Sequence, residues 1–207
     1  MDITIIGAGN MARGIATRAL AGGHAVRLLT PERDEAQGLA SELGASTQAG
    51  IVGDRLDTDL VVLAITYGAV HGVLDTYGDQ LDGKIVVDIT NPVDFDTFQP
   101  LQLQAGSAAQ EIANAAPGAR VVKAFNTTFA GTLVEGHVAG RTLDVLIASD
   151  DEQAKQAVSK LATDGGMHAV DAGPLGRAHE LEAMGYMHMA LQETLGTQYG
   201  SALTVSA

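Results

Sequence analysis

The sequence predicts an α/β fold, a doubly wound and mostly parallel sheet closed by a small C-terminal α/β appendage that ends in a long helix. Three observations predict it. Apolar, β-branched runs of four to six residues alternate with longer amphipathic stretches, as strands buried on both faces and their crossover helices require. The glycine cluster "IIGAGNMARG" at residues 5–14 joins the first such run to the first such stretch, which makes the fold Rossmann-type. Pro31, Pro92, Pro117 and Pro174 fall between these segments, where proline does least damage.

The elements follow in order. Residues 3–6 form the first strand, at the very start of the chain. Residues 10–21 read as a helix, because Met11, Ile15 and Ala19 recur four apart on one face. Strands are expected at 25–29, 60–65, 85–89, 121–125 and 145–148, each a nearly continuous apolar run. Helices are expected at 32–43, 68–80, 107–115 and 151–163. The stretch 92–106 is the least regular. A short run at 168–170 precedes one long helical pattern over about 177–199. This organisation predicts an NADP-binding Rossmann domain over 1–150 and a small substrate and dimerisation region over 151–207.

Composition removes several function classes. The chain has 207 residues, 46% of them hydrophobic, so it can bury a sizeable core. It has no cysteine, which excludes disulfides, thiolate catalysis and sulfur-ligated metals. The net charge of -13 disfavours nucleic acid and anionic membranes. No apolar run reaches the roughly 18 residues of a membrane span. The N-terminus lacks the charged start of a signal peptide, so a cytoplasmic protein without membrane contact is expected.

The glycine cluster suits a dinucleotide. Gly7 can turn the chain out of the strand, Gly9 can let the backbone approach a pyrophosphate, and Ala12 keeps the helix–strand contact small. Backbone N–H groups of Asn10, Met11 and Ala12 would then point at the phosphates. A plain strand–turn–helix corner is the alternative, and the strand, helix and chain-start context weighs against it. The second strand ends in "RLLTPERDEA". Where an NAD site would hold an acidic residue it has Thr30, with Arg33 nearby to supply charge, so NADP is favoured. Glu32, if it pointed inward, would instead favour NAD.

Later strand ends supply the remaining rim. They read "LAITYG" (63–68), "DITNP" (88–92) and "KAFNT" (123–127). Ile65, Thr66, Tyr67, Asn91 and Pro92 are the expected cofactor neighbours. Ala124, Asn126 and Thr127 are the expected neighbours of a second substrate, since ligands of such sheets sit beyond the strands' carboxyl ends. The histidines His24, His71, His137, His168, His179 and His188 are scattered, and no pair has the close spacing of a metal helix. No metal is expected and no catalytic acid or base is assigned. Hydride transfer fits this, because the cofactors carry the chemistry and the protein only orients them.

Over nearly its full length the chain resembles the coenzyme F420-dependent NADP reductases. It also resembles the oxidoreductase domains of the six-transmembrane ferric reductases. The matching stretches are "GAGNMARG" (7–14), "VVKAFNT" (121–127), "IASDDEQAKQAV" (147–158) and "DAGPLGRAHELE" (171–182). The resemblance implies hydride transfer between NADP(H) and coenzyme F420 or a flavin such as FMN or FAD. It implies pyrophosphate contacts from Gly9, Asn10 and Met11, and puts Thr30 on a serine that helps hold the 2′-phosphate. Two positions depart from the family: Pro31 replaces an arginine, and Asn126 stands where the deazaflavin reductases have a histidine. The second change brings the chain nearer the ferric-reductase relatives. Three other activities stay open: an NADPH-dependent flavin or ferric reductase, a small imine reductase, and a nucleotide-binding sensor without turnover. The partner expected besides a small-molecule redox acceptor is a second copy of the chain. Leu181, Met184, His188, Leu191 and Leu195 fall at spacings of three and four and would form a homodimer stripe on the last helix.

Overall fold

The chain begins with β1 (Asp2–Ile6), α1 (Asn10–Ala21), β2 (Ala25–Thr30), α2 (Arg33–Leu43) and β3 (Thr47–Ile51). It continues through β4 (Leu60–Leu63), α3 (Tyr67–Tyr77) and β5 (Ile85–Asp88). A short hairpin, β6 (Val93–Asp94) and β7 (Gln99–Pro100), leads to α4 (Ala108–Ala115) and β8 (Arg120–Lys123). Next come α5 (Ala130–Glu135) and a second hairpin, β9 (His137–Val138) and β10 (Arg141–Thr142). The chain closes with β11 (Asp144–Ala148), α6 (Glu152–Asp164), β12 (His168–Gly173) and α7 (Ala178–Leu195). These elements come from a computed structural model, which describes residues 1–206.

Eight strands form one sheet in the order β12-β11-β8-β5-β4-β1-β2-β3. All pairs from β3 to β8 are parallel, β11 meets β8 antiparallel, and β12 runs parallel to β11. The expected boundary near residue 150 falls between β11 and α6, and β12 beyond it joins the same sheet. Successive residues of the central strands serve opposite faces. Ile5, Val62, Val87 and Val122 join one core with α1, α2 and α6. Ile6, Val61, Val86 and Val121 join another with α3, α4 and the start of α7. Continuous apolar runs are therefore needed, and each fully buried aliphatic side chain stabilises the sheet by about 1.5–3 kcal/mol.

Some elements differ from expectation for local reasons. β3 carries the half-exposed sequence TQAGI at the sheet edge, with no apolar run to mark it. α5 has only six residues, and the hairpin strands have two each. The last helix stops at Leu195 rather than near 199, because Gly196 adopts φ +64 and caps it. The expected stripe on that helix splits. Leu181 and His188 are buried, whereas Met184, Leu191 and Leu195 are exposed together with Met187. The stripe straddles the edge of the helix's buried face rather than lying on one side of it.

Candidate functional site

The strand order reverses between β1 and β4, and the crevice beyond their carboxyl ends is where such sheets hold ligands. Gly7 leaves β1 with φ +117, and a Cβ there would lie 2.2 Å from the Ala64 carbonyl oxygen. Only glycine allows this turn and this approach to the end of β4. Gly9 is the reverse case: a Cβ there would meet nothing within 4 Å, so the space above it is open. Gly9 caps α1 without a side-chain hydrogen bond. The first N–H groups of α1, those of Asn10, Met11 and Ala12, thus have no intrahelical partner; Asn10 and Met11 line an open cavity, whereas Ala12 is fully buried. This cradle fits a dinucleotide pyrophosphate.

The residues expected to read a 2′-phosphate are placed unequally. Thr30 is buried at the end of β2 and donates its hydroxyl to the Glu32 carbonyl at 2.6 Å. Arg33 opens α2, is exposed, and among the described residues makes one long bond, to the Ala49 carbonyl at 3.4 Å. Its guanidinium can therefore turn to a phosphate, while Thr30 must first give up its bond. Glu32 and Pro31 are exposed beside it. At the end of β4, Ile65 is half-buried and Thr66 caps α3. Tyr67 donates to Glu111 at 2.5 Å. Burial first, then the Glu111 carboxylate, pushes the Tyr67 hydroxyl up to about 12, so it keeps its proton at neutral pH.

The ends of β5 and β8 meet in an amide pair. Asn91 donates to the Asn126 carbonyl at 2.8 Å, and Asn126 donates back to Asn91 Oδ1 at 2.9 Å. The second Asn126 N–H reaches the Leu181 carbonyl of α7 at 2.8 Å. Both Asn126 donors are thus spent within the protein, and its Oδ1 is buried without a partner. Gly185 of α7 admits this pair, since a Cβ there would lie 2.6 Å from Asn91 Oδ1. Ala124 and Thr127 are buried, with the Thr127 carbonyl bonded to His188 Nδ1 at 3.2 Å. Between them Phe125 holds φ +62, a left-handed conformation unusual for a bulky residue and of the kind that clusters at functional sites. Pro92 is buried and carries the chain into the β6–β7 hairpin.

One cavity of about 670 Å³ brings the start of α1 together with the Asn91–Asn126 pair, while Thr30, Arg33, Ile65, Thr66, Tyr67, Pro92, Ala124 and Thr127 do not line it. It starts at Asn10, Met11 and Arg13 and passes Asn91 and Asn126. It ends on Phe95, Phe129, Met189 and Tyr199. A volume between ~300 and 1,000 Å³ is usual for small-molecule sites. Its lining is mainly apolar, and Arg13 is its one charged residue, bonded to Glu42.

Residues 2–92, from β1 to the start of this crevice, match the model of the family described as NADP oxidoreductase coenzyme F420-dependent. Over this stretch the chain is similar to the F420-dependent NADP oxidoreductases. The full chain is similar to other proteins of the same kind. The F420-dependent NADP reductase of Methanothermobacter thermautotrophicus is 29% identical over 88% of this chain and 85% of its own. The metalloreductase STEAP3 of Rattus norvegicus is 32% identical over 88% of this chain, which spans 36% of that protein. A crystal structure of a proposed F420-dependent NADP reductase from Arthrobacter sp. FB24 superposes with a TM-score of 0.87, covering 99% of both chains at 27% identity. The mostly parallel Rossmann sheet and the long C-terminal helix recur in that structure.

The structure also shows a group that sequence reasoning missed. Lys123 is fully buried at the end of β8. Its Nζ donates to Asp88 Oδ2 at 2.7 Å, Glu182 Oε1 at 2.7 Å and the Thr90 carbonyl at 2.6 Å. Glu182 also accepts from the backbone N–H of Ala108 at 3.0 Å, at the N-terminus of α4. Burial raises the Glu182 carboxyl above its ordinary range, and Lys123 opposes that rise. The cluster fastens β5, β8, α4 and α7 directly behind Asn91. One signal was available: a lone lysine inside the apolar run "VVKAFN" must find an acidic partner if that strand is buried on both faces.

Proposed function

We propose that the chain transfers hydride between NADP(H) and a flavin or deazaflavin acceptor held in the 670 Å³ cavity. The observation that carries this is the continuity of that cavity. It runs from the open amides of α1, which suit a pyrophosphate, past the Asn91–Asn126 pair to an aromatic wall that suits a flat ring. NADPH supplies the hydride from its nicotinamide ring. The protein's share is binding, orientation and exclusion of water. Gly9, Asn10 and Met11 hold the phosphates, with Ile65 and Thr66 along the nucleotide's edge. Asn91 and Asn126 fix the crevice walls, and Asn126 Oδ1 stands as a buried acceptor that a ligand N–H or a water would complete. Phe95, Phe129 and Tyr199 keep water from the reacting rings. No acid–base residue is required, which agrees with a Tyr67 hydroxyl committed to Glu111.

The test is oxidation of NADPH against a panel of coenzyme F420, FMN, FAD, ferric chelates and a small cyclic imine. Turnover with flavin or deazaflavin supports the reading. Turnover with the imine alone overturns it in favour of an imine reductase, and tight nucleotide binding without any turnover in favour of a sensor.

NADP is selected over NAD by Arg33 in this reading. Arg33→Ala should weaken NADPH binding by about tenfold to a hundredfold, the size of one or two charge-assisted bonds, and leave NADH nearly unchanged. Equal losses for both nucleotides would assign the site to NAD through Glu32.

The protein is further proposed to work in the cytoplasm as a homodimer. Met184, Met187, Leu191 and Leu195 give α7 an exposed apolar face of the kind that subunits cover. Among the described residues, no helix is long and apolar enough to cross a membrane. Sedimentation at micromolar concentration should give a dimer, and Met187→Glu should shift it to monomers. A monomeric wild-type protein would reject this arrangement.

A further inference from the structure

We infer that Arg13 is a nucleotide-binding residue held back by Glu42: it closes on the pyrophosphate when their ion pair opens, and Glu42 thereby sets how tightly the nucleotide is held. This rests on the proposed use of the α1 cradle for NADP(H), and it adds to that cradle a cation and a competitor for the cation.

The position of Arg13 is the first support. It lies four residues beyond the cap of α1, and its N–H donates to the Gly9 carbonyl at 3.0 Å. Helix side chains lean towards the helix N-terminus, so the stem of Arg13 covers the turn that begins at Gly9. Gly9 leaves that turn bare, since a Cβ there would meet nothing within 4 Å. Arg13 lines the 670 Å³ cavity beside Asn10 and Met11. It also lines a second cleft, of about 460 Å³, together with Ala8 and Gly9. The residue thus stands between the two open spaces that flank the cradle.

The charges around it are the second support. Asp34, Glu35 and Glu42 line the second cleft, and Arg13 is the only cation on either wall among the described residues. A pyrophosphate brings two negative charges into these surroundings, and the α1 dipole answers with about half a positive charge. Arg18, further along the same helix, is committed to the Val134 carbonyl at 2.7 Å.

Magnitudes decide that the pair can open. Arg13 bonds Glu42, and their side chains are 40% and 56% exposed. Exposed ion pairs contribute little, whereas a guanidinium can grip a phosphate through two parallel bonds. Glu42 also breaks a local rule. It stands in the last turn of α2, where no basic residue is present and the helix dipole disfavours an acid. Its place is explained by what it faces, which is Arg13.

Dissociation constants of NADPH and NADH, read by nucleotide fluorescence without any acceptor, test this. Arg13→Ala should weaken both nucleotides by about tenfold, the low end for one charge-assisted bond, and Arg13→Lys should recover part of the loss. Glu42→Gln should tighten both by about two- to fivefold, the scale of an exposed ion pair. The double variant should bind as Arg13→Ala does, because Glu42 acts through Arg13. Unchanged constants in Arg13→Ala overturn the inference. So does a loss confined to NADPH, which would make Arg13 a reader of the 2′-phosphate. A gain from Glu42→Gln that persists undiminished beside Arg13→Ala also overturns it, since Glu42 would then be only a repelling charge. The expected shifts without turnover of any acceptor would sustain the role of Arg13 and defeat the proposed hydride transfer, so the two failures are distinct.

Discussion

Lys123→Met should lower the unfolding free energy by about 3–5 kcal/mol, the usual result of removing one partner from a buried ion pair. All three N–H donors of Lys123 are used, and its removal leaves the Asp88 and Glu182 carboxylates buried together without a cation. The loss should depend on pH in a definite direction. The Glu182 carboxyl already titrates above its ordinary value, and without Lys123 it would rise further. A group raised in the folded state gives its full stabilisation below the unfolded carboxylate pKa and loses it as pH climbs through the folded one. The variant should therefore lie closest to wild type in mild acid and furthest from it at neutral pH. Denaturant unfolding at several pH values measures this. A neutral-pH loss under about 1 kcal/mol would mean that the cluster is not the clamp its geometry indicates.

The two glycines of the first turn should separate folding from binding. Gly7→Ala forces a side chain at φ +117 and 2.2 Å from a carbonyl oxygen at the end of β4. It should cost about 2–5 kcal/mol of stability through strain and backbone displacement. Gly9→Val meets no protein atom within 4 Å and extends from an ordinary extended backbone, φ -75 and ψ -174. It should fold as wild type does and bind NADPH about a hundredfold or more weakly, because the branched side chain fills the pyrophosphate space. Thermal unfolding alongside nucleotide titration reads both. Normal NADPH affinity in folded Gly9→Val would place the nucleotide elsewhere.

The legible parts of the molecule are those with local signatures. Central strands read as apolar runs because both faces are buried, and the tight turn from β1 into α1 was legible because Gly7 and Gly9 stand between a strand and a helix. Other parts depend on contacts distant in sequence. Lys123 announces that it needs a carboxylate, but Glu182 lies 59 residues away and sits in a helix of mixed character. Asn126 follows a strand end, and in the fold it lines a cavity with Asn91. That its donors go to Asn91 and Leu181 follows only from the approach of α7, which Gly185 allows. The aromatic wall was invisible for the same reason: "GTQYGS" is a polar tail until Gln192 and His188 gather it. Edge strand β3 and six-residue α5 carry too little periodicity to be read at all.

Transfer of a label tests the central claim most directly. NADPH deuterated at the transferable C4 position is oxidised anaerobically with a 5-deazaflavin, whose reduced C5–H does not exchange with solvent, and the product is weighed by mass spectrometry. Direct hydride transfer in the shared cavity predicts enzyme-dependent reduction with deuterium retained in the reduced deazaflavin, and loss of that reduction in Gly9→Val. Reduced product without deuterium, or no reduction above the protein-free control, would contradict it.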